Sequence, residues 1–361
     1  MAHKIAARLA DSAGTPIAAT DELAVPGLDL PGAMRPRTSS VHSHIATPVR
    51  WTDHTKEITV TEFKPVPDFA LGPDIPESTG YAVTDLGGDA YLVTQGMINT
   101  MFLVTKNGVV LVDASPFLGD KLLEAIESVT PKPLTHLIYS HAHADHIGAA
   151  HLLNRDGLKI IAHEITGDLI KKAKDDRRPL PTETFSGRHK EMDIDGARFV
   201  LDYTRDWHVA GNLFIHLPEQ RLMGAMDSFA PKSAPFFRLY FSAHVPAYYD
   251  AMDELLEYDF DTIVTGHMAL PGTPEDVATN REFIRDLRTA AAEALRTVEL
   301  KEAAAAAKVP HNNRQAELKV WMDAVVTRAA ELMPSWDERL AGTDIFLRDN
   351  LNAVAWSVFI D

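Results

Sequence analysis

The stretch SHAHADHIGAAH, residues 140–151, limits the folds and functions open to this chain more than any other segment. It places His141, His143, Asp145 and His146 within six positions, after a run that predicts a strand and before one that predicts a helix. A tight loop between a strand and a helix can aim several side chains at one point. Imidazole and carboxylate groups bind zinc, and also iron and manganese. The pattern favours a metal site over a polar loop with incidental histidines.

One loop cannot complete a metal site, so the first motif needs ligands from elsewhere in the chain. Three further side chains of metal-binding type each follow a predicted strand. They are His208 after ARFVLDYT, Asp227 after RLMGAM and His267 after DTIVTG. We expect them to converge with the first motif, which gives seven ligands, enough for two ions. Asp227 is the natural bridging group because a carboxylate has two oxygens. The chain has no cysteine, so thiolate ligands are excluded.

Strands and helices alternate in two successive halves, each beginning with strands. This order predicts a sandwich of two mixed sheets with helices outside. Residues 175–197 are charged and interrupted by Pro and Gly, and they predict a surface loop. Residues 228–246 predict an aromatic loop.

Composition changes along the chain predict three parts. Residues 1–55, rich in Pro, Ala and Ser, predict an extended N-terminal arm. Residues 56–275 predict the catalytic domain, and residues 276–361 a helical extension that packs on the core or on a second subunit. Thr273 and Pro274 predict the N-cap and first turn of a long helix. Ser335 and Glu338 predict a capping box for a later helix.

These motifs resemble those of the metallo-β-lactamase superfamily, in its dinuclear HxHxDH form, over about residues 57–275. The resemblance implies an αββα sandwich and two metal sites. Its first site would comprise His141, His143 and His208, and its second Asp145, His146 and His267, with Asp227 bridging them. It also implies that Asp113 supports the metal loop without binding metal. Two Zn²⁺ ions per chain are expected, with Mn²⁺ or Fe²⁺ as alternatives.

Two divalent ions that share a water lower its pKa, so that a hydroxide forms near neutral pH. We therefore expect a metallo-hydrolase that cleaves an ester, a lactone or a related bond of a fairly hydrophobic small molecule, with Asp145 and Asp227 as catalytic groups. Two alternatives remain open: an oxidoreductase with one iron, similar to the persulfide dioxygenases of the same superfamily, and a non-catalytic binding or assembly protein.

Aromatic and apolar residues near the predicted site favour a hydrophobic substrate. Packing in the core or at a subunit contact is an equal alternative for them. The candidate substrate-binding residues are Met97, Ile98, Trp207, Phe229, Phe236, Phe237, Tyr240 and His244.

The net charge of −16 argues against nucleic-acid binding, which needs clustered Lys and Arg. No apolar run is long enough to span a bilayer, and the N-terminus lacks the continuous apolar segment of a signal peptide. We expect a cytoplasmic protein without nucleic-acid or membrane partners. We also expect it to act on a small molecule and to form a homodimer or a higher homo-oligomer.

Overall fold

The computed structural model describes residues 63–361. The predicted N-terminal arm, residues 1–55, lies outside this part of the chain. Within residues 63–361, none of the helices combines the length and the apolar character needed to cross a bilayer.

The first sheet has seven strands in sequence order, from β1 at one edge to β7 at the other. Pairing is antiparallel from β1 to β4 and parallel from β4 to β7. β4 is buried along its whole length, which explains its continuous apolar sequence VVLV. The strands are β1 (Ala82–Gly87), β2 (Ala90–Thr94), β3 (Asn99–Val104), β4 (Val109–Val112), β5 (Leu134–Ile138), β6 (Lys159–His163) and β7 (Glu183–Phe185).

The second sheet has five strands in the order β12-β11-β10-β9-β8. Its β11 and β12 are parallel, and its other pairs are antiparallel. The strands are β8 (His189–Ile194), β9 (Ala197–Asp202), β10 (Phe214–Leu217), β11 (Leu222–Gly224) and β12 (Thr262–Val264).

The prediction of a surface loop over residues 175–197 is wrong, because this segment contains β7 and β8. In β8, HKEMDI, exposed positions alternate with half-buried ones, and only the last residue is buried. Its charged side chains point outward at every second position, so the charged composition concealed a period of two.

Helices cover the outer face of each sheet, which confirms the predicted αββα sandwich. A core that includes Leu103 and Leu201 lies between the sheets. A second core joins the first sheet to its helices, and a third joins the second sheet to the C-terminal helices. The first helices are α1 (Lys121–Val129), α2 (Ala144–Ile147), α3 (Ala150–Leu153), α4 (Glu164–Ala173) and α5 (Val245–Leu255).

Four helices form the C-terminal extension: α6 (Pro274–Thr297), α7 (Leu300–Ala306), α8 (Arg314–Leu332) and α9 (Thr343–Ile360). Thr273 caps α6 in a reciprocal capping box with Asp276, as the sequence predicted for the start of this helix. The extension shares one hydrophobic core with the second sheet, in which Ile284 and Val354 lie beside Met223.

The capping box predicted at Ser335 and Glu338 is wrong, because the last helix begins only at Thr343. Trp336 and Leu340 are buried between these positions, and Trp336 Nε1 donates a hydrogen bond to Asp286 (3.1 Å). This packing holds the segment before Thr343 in turns, although the pattern of Ser335 and Glu338 alone would favour the start of a helix there.

Candidate metal centre

The predicted ligands lie beyond the ends of four strands that come from both sheets. The HAHADH motif follows β5 of the first sheet, and the other three ligands follow β9, β11 and β12 of the second. Gly224 and Val264 pair in the parallel strands β11 and β12, so Asp227 and His267 each lie three residues beyond a paired strand end. A hydrogen bond from the Asp227 amide to the Thr265 carbonyl (2.9 Å) continues this pairing into the loops.

The structure brings all seven predicted ligands together in two adjoining groups. Within each group, the ligand atoms lie within 4.8 Å of one another. The first group is His141, His143, His208 and Asp227, and the second is Asp145, His146 and His267. The first group contains the three histidines that the superfamily resemblance assigned to the first metal, together with Asp227. The second group is the set of three residues that the resemblance assigned to the second metal.

Asp227 lies between the two groups, with one carboxylate oxygen facing each. Its Oδ2 lies 3.0 Å from Nε2 of His208 and 3.7 Å from Nε2 of His141. Its Oδ1 lies 3.1 Å from Nε2 of both His146 and His267. A carboxylate in this position can bind two ions at once, one through each oxygen.

Asp113 supports the loop through Ser140. It accepts hydrogen bonds from the Ser140 amide (2.8 Å) and hydroxyl (2.6 Å), and Ser140 Oγ lies 2.9 Å from Nδ1 of His141. Its Oδ2 is also 3.4 Å from Nδ1 of His146. Because these contacts occupy Nδ1 of both histidines, their Nε2 atoms face the centre.

His267 is oriented in the same way from a different loop. Its Nδ1 donates a hydrogen bond to the carbonyl of Met97 (3.2 Å), which leaves Nε2 directed at Asp227. The Met97 side chain is 60% exposed, so the structure gives this residue a backbone role at the centre.

Burial and mutual charge set the protonation of the cluster. Burial lowers the pKa of His141 well below its usual value and that of His143 to about 4. Burial opposes the charged form of His146 as well, but the carboxylates of Asp227 and Asp113 raise its pKa well above the usual value. Burial alone would raise the pKa of Asp227, whereas His146 and His208 hold it well below the usual value. The Asp227 carboxylate is therefore ionised within the cluster.

The donor set fits divalent metal ions. His141 Nε2 and Asp227 Oδ1 are buried and make no hydrogen bond with any described residue. Buried polar atoms without partners are rare in folded proteins, and they are common where an ion completes the site. Nitrogen and carboxylate donors with no sulfur match zinc, manganese or iron(II).

Five of the predicted substrate-binding residues separate into two sets, one beside the centre and one in the hydrophobic cores. Phe236 and Tyr240 lie beside the centre, with ring centroids 5.4 Å and 5.8 Å from that of His267. Ile98, Trp207 and Phe229 are fully buried in the hydrophobic cores, which departs from the expected pocket rim. Trp207 stacks on Phe214 (5.5 Å between centroids), so its surface contributes to the core.

The remaining two predicted pocket residues have local contacts. Phe237 is 37% exposed and packs against Phe241. His244 caps α5, since its Nδ1 accepts a hydrogen bond from the Ala247 amide (3.3 Å).

A left-handed turn in the loop after Asp227 escaped sequence reasoning. We call Phe237–Phe241 the aromatic turn; Arg238, Leu239, Tyr240 and Phe241 all have φ between 53° and 55°. None is glycine, so the sequence FFRLYF carries no local signal for this conformation, which costs about 1 kcal/mol or more per residue. Tertiary contacts must hold it.

Gly266 brings the backbone close to the centre. Its φ is +87°, and a Cβ atom there would lie 2.8 Å from Cε1 of His146 and 3.3 Å from Oδ1 of Asp227. We expect Gly266→Ala to displace His146 and to weaken metal binding about 10- to 100-fold. Titration of the metal-free protein with zinc measures this change.

Gly157→Ala is the matched control for this substitution. Gly157 has the same φ of +87° but nothing within 4 Å of an added Cβ, so it introduces the backbone strain alone. Equal zinc affinity in the two variants would show that the close approach at Gly266 does not shape the centre.

Residues 93–267 match the model of the metallo-beta-lactamase superfamily. Among curated proteins, the subunit alpha of a 2,4-dinitroanisole O-demethylase from Nocardioides sp. is 29% identical over 206 residues, 56% of this chain and 60% of that subunit. The metallo-beta-lactamase IND-1 of Chryseobacterium indologenes is 29% identical over 162 residues, 44% of this chain and 64% of that enzyme.

Among solved structures, the stereoselective inverting sec-alkylsulfatase Pisa1 from Pseudomonas sp. superposes with a TM-score of 0.54 at 16% identity. The match covers 76% of this chain and 50% of the sulfatase. At this identity the likeness concerns the fold alone. The chain spans less than two thirds of each of these three relatives.

Proposed function

We propose that this chain, whose residues 93–267 match the model of the metallo-beta-lactamase superfamily, is a metal-dependent hydrolase of that superfamily with two metal ions, most simply Zn²⁺. Its substrate is an ester, a lactone or a related compound with a hydrophobic, aryl-bearing group. The position of Asp227, with one oxygen facing each group of ligands, carries this proposal.

The residues present define the tasks of the chain in such a reaction. His141, His143 and His208 would hold one ion, and Asp145, His146 and His267 the other. Two bound divalent ions supply a nucleophilic hydroxide at neutral pH and a Lewis acid for the substrate oxygen. The second ligand group is complete, which favours a dinuclear centre over the alternative with one iron.

Asp145 differs from the other ligands in its accessibility. Its side chain is 43% exposed, while that of Asp227 is almost fully buried. Its Oδ2 lies 3.7 Å from Nε2 of His146, so the carboxylate lies at the open side of the second group. There it can accept a proton from the attacking water and deliver it to the leaving group.

Aromatic side chains support an aryl-bearing substrate. Phe236 and Tyr240 pack against His267. They also border a cavity of about 220 Å³ whose other walls include Met268, Leu340 and Phe346, while none of the seven candidate ligands lines it. This volume is below the roughly 300–1,000 Å³ of pockets for drug-sized ligands, so it suits a small apolar group. The Nocardioides relative is named for an aromatic substrate, 2,4-dinitroanisole, which agrees with this class.

A substrate panel read together with metal content tests the proposal. We expect zinc- or manganese-loaded protein with two ions per chain to hydrolyse 4-nitrophenyl acetate or butyrate, a γ-lactone or 2,4-dinitroanisole. 4-Nitrophenyl sulfate and a chromogenic β-lactam test the other bond types of the named relatives. One iron per chain, with oxygen uptake on a persulfide and no hydrolysis, would overturn the proposal in favour of the oxidoreductase.

A protein that binds no metal and is inert on the whole panel would instead support the non-catalytic alternative. Metal content is measured by elemental analysis on the same preparation that is assayed. Inactivity caused by loss of metal is thereby distinguished from inactivity caused by an unsuitable substrate.

A further inference from the structure

The aromatic turn needs an outside support, and the C-terminal helix α9 provides it. Its residue Asn350 is completely buried. Asn350 Oδ1 accepts a hydrogen bond from the Leu239 amide (2.9 Å), and its Nδ2 donates one to the Pro235 carbonyl (2.6 Å). One side chain thus ties the segment that enters the turn to the middle of the turn. These two bonds hold a backbone conformation that its own residues disfavour.

The turn places Tyr240 between this clamp and the candidate metal centre. The side chain is fully buried, its ring lies against that of His267, and its hydroxyl makes no hydrogen bond with any described residue. Tyr248 is also fully buried with an unpartnered hydroxyl.

An unpartnered buried hydroxyl costs free energy because it has left water without a replacement partner. Such a group is explained when a ligand supplies the missing partner. The hydrolysis proposed above develops negative charge on a substrate oxygen, and a phenol is a good donor to such an oxygen.

We propose that Asn350 is a positioning residue of the active site, and that it clamps the aromatic turn so that the Tyr240 hydroxyl donates a hydrogen bond to the substrate oxygen beside His267. This inference rests on the proposed hydrolase function. It makes the C-terminal helix α9 part of the active site, although α9 supplies none of the seven candidate metal ligands.

The experiment compares Asn350→Leu with Asn280→Leu in the full-length, metal-loaded protein. Asn280 is the matched control because it is also a completely buried asparagine that donates to backbone carbonyls, but these belong to Ala230 (3.2 Å) and Asp276 (3.3 Å), outside the aromatic turn. Asn350→Ala is the second variant, which avoids the added bulk of leucine. Each protein is assayed for metal content, kcat and KM on the best ester of the panel.

We expect both Asn350 variants to keep two metals per chain and to lose about 100-fold in kcat/KM, the typical cost of misplacing a reacting group by about 1 Å. Asn280→Leu should stay within about 3-fold of the parent. It lowers the stability of the protein, but it does not change the active site of the molecules that remain folded. Tyr240→Phe should reproduce the loss. The double variant Asn350→Leu/Tyr240→Phe should be no worse than either single variant, because residues that act through one another are not additive.

Hydrogen exchange of a peptide covering residues 235–243 provides a readout that needs no activity. Loss of the Leu239 hydrogen bond should raise exchange in the Asn350 variants and leave it unchanged in Asn280→Leu. Faster exchange with unchanged kcat/KM would overturn the inference and leave the hydrolase proposal standing. Additive effects of the two substitutions would also overturn it. A further outcome is that the parent hydrolyses no ester while hydrogen exchange still rises in the Asn350 variants. In that case the proposed hydrolase function is wrong, whereas the role of Asn350 in holding the aromatic turn is confirmed.

Discussion

Replacing Asp227 by asparagine is expected to reduce hydrolysis by about 1,000-fold or more and to remove at least one metal ion per chain. The substitution keeps the shape of the side chain and its hydrogen-bonding oxygen, but it removes the charge and one of the two oxygens that face the ligand groups. Asparagine is also the right choice for the backbone, because Asp227 has φ +63°, a conformation that asparagine adopts more readily than alanine. Turnover and metal stoichiometry measure the effect.

Asp202→Asn is the control for this substitution. Asp202 is a second nearly buried carboxylate, and it binds His189 (2.6 Å) and the Tyr258 hydroxyl (2.7 Å), away from the centre. We expect it to cost stability and to leave metal content and kcat intact. If Asp227→Asn retained two metals and near-parental turnover, the assignment of Asp227 as the bridging ligand would be wrong.

Removal of the metal ions is expected to lower the melting temperature by about 10 °C as well as to stop catalysis. An ion present at 1,000 times its Kd stabilises the folded state by about 4 kcal/mol, so two ions contribute about 8 kcal/mol. At an unfolding entropy of about 2.1 cal/mol/K per residue, 1 kcal/mol corresponds to roughly 1.3 °C in a chain of 361 residues. Chelation leaves Asp227 and the surrounding imidazoles buried together without the ion that separates them. Thermal unfolding of dialysed protein, with and without zinc, measures the shift.

The Asp227→Asn variant provides the internal comparison for this measurement. A protein that has already lost bound metal should show a smaller response to the chelator than the parent does. An unchanged melting temperature and full activity of the parent after exhaustive chelation would remove the basis for a metal-dependent enzyme.

The convergence of the seven candidate ligands could be anticipated from the sequence because each follows a strand, and strand ends in a layered fold share an edge. The HAHADH motif lies within one loop, so its spacing alone indicates that its side chains are directed at one site. His208, Asp227 and His267 required the further step of placing three separate strands in one sheet.

Other features depend on contacts between residues far apart in the chain, and the sequence pattern does not show them. Trp207 was expected at a pocket rim because it precedes a ligand, but its large apolar surface contributes more to the core. The left-handed conformation at Tyr240 depends on Asn350, which is more than one hundred positions further along. The strand β8 was missed because its outward charges dominate its composition.

The candidate ligands come from both sheets, and this has a consequence for how the protein folds. The HAHADH loop follows a strand of the first sheet, whereas Asp227 and His267 follow strands of the second. Neither of the two groups that contain the seven predicted ligands comes from one sheet alone, since each includes residues from both sheets. Tight metal uptake therefore requires that the two sheets have already docked, and bound ions then act as a cross-link between them. Zinc binding followed in time during refolding would accordingly report one of the last steps by which this chain reaches its native state.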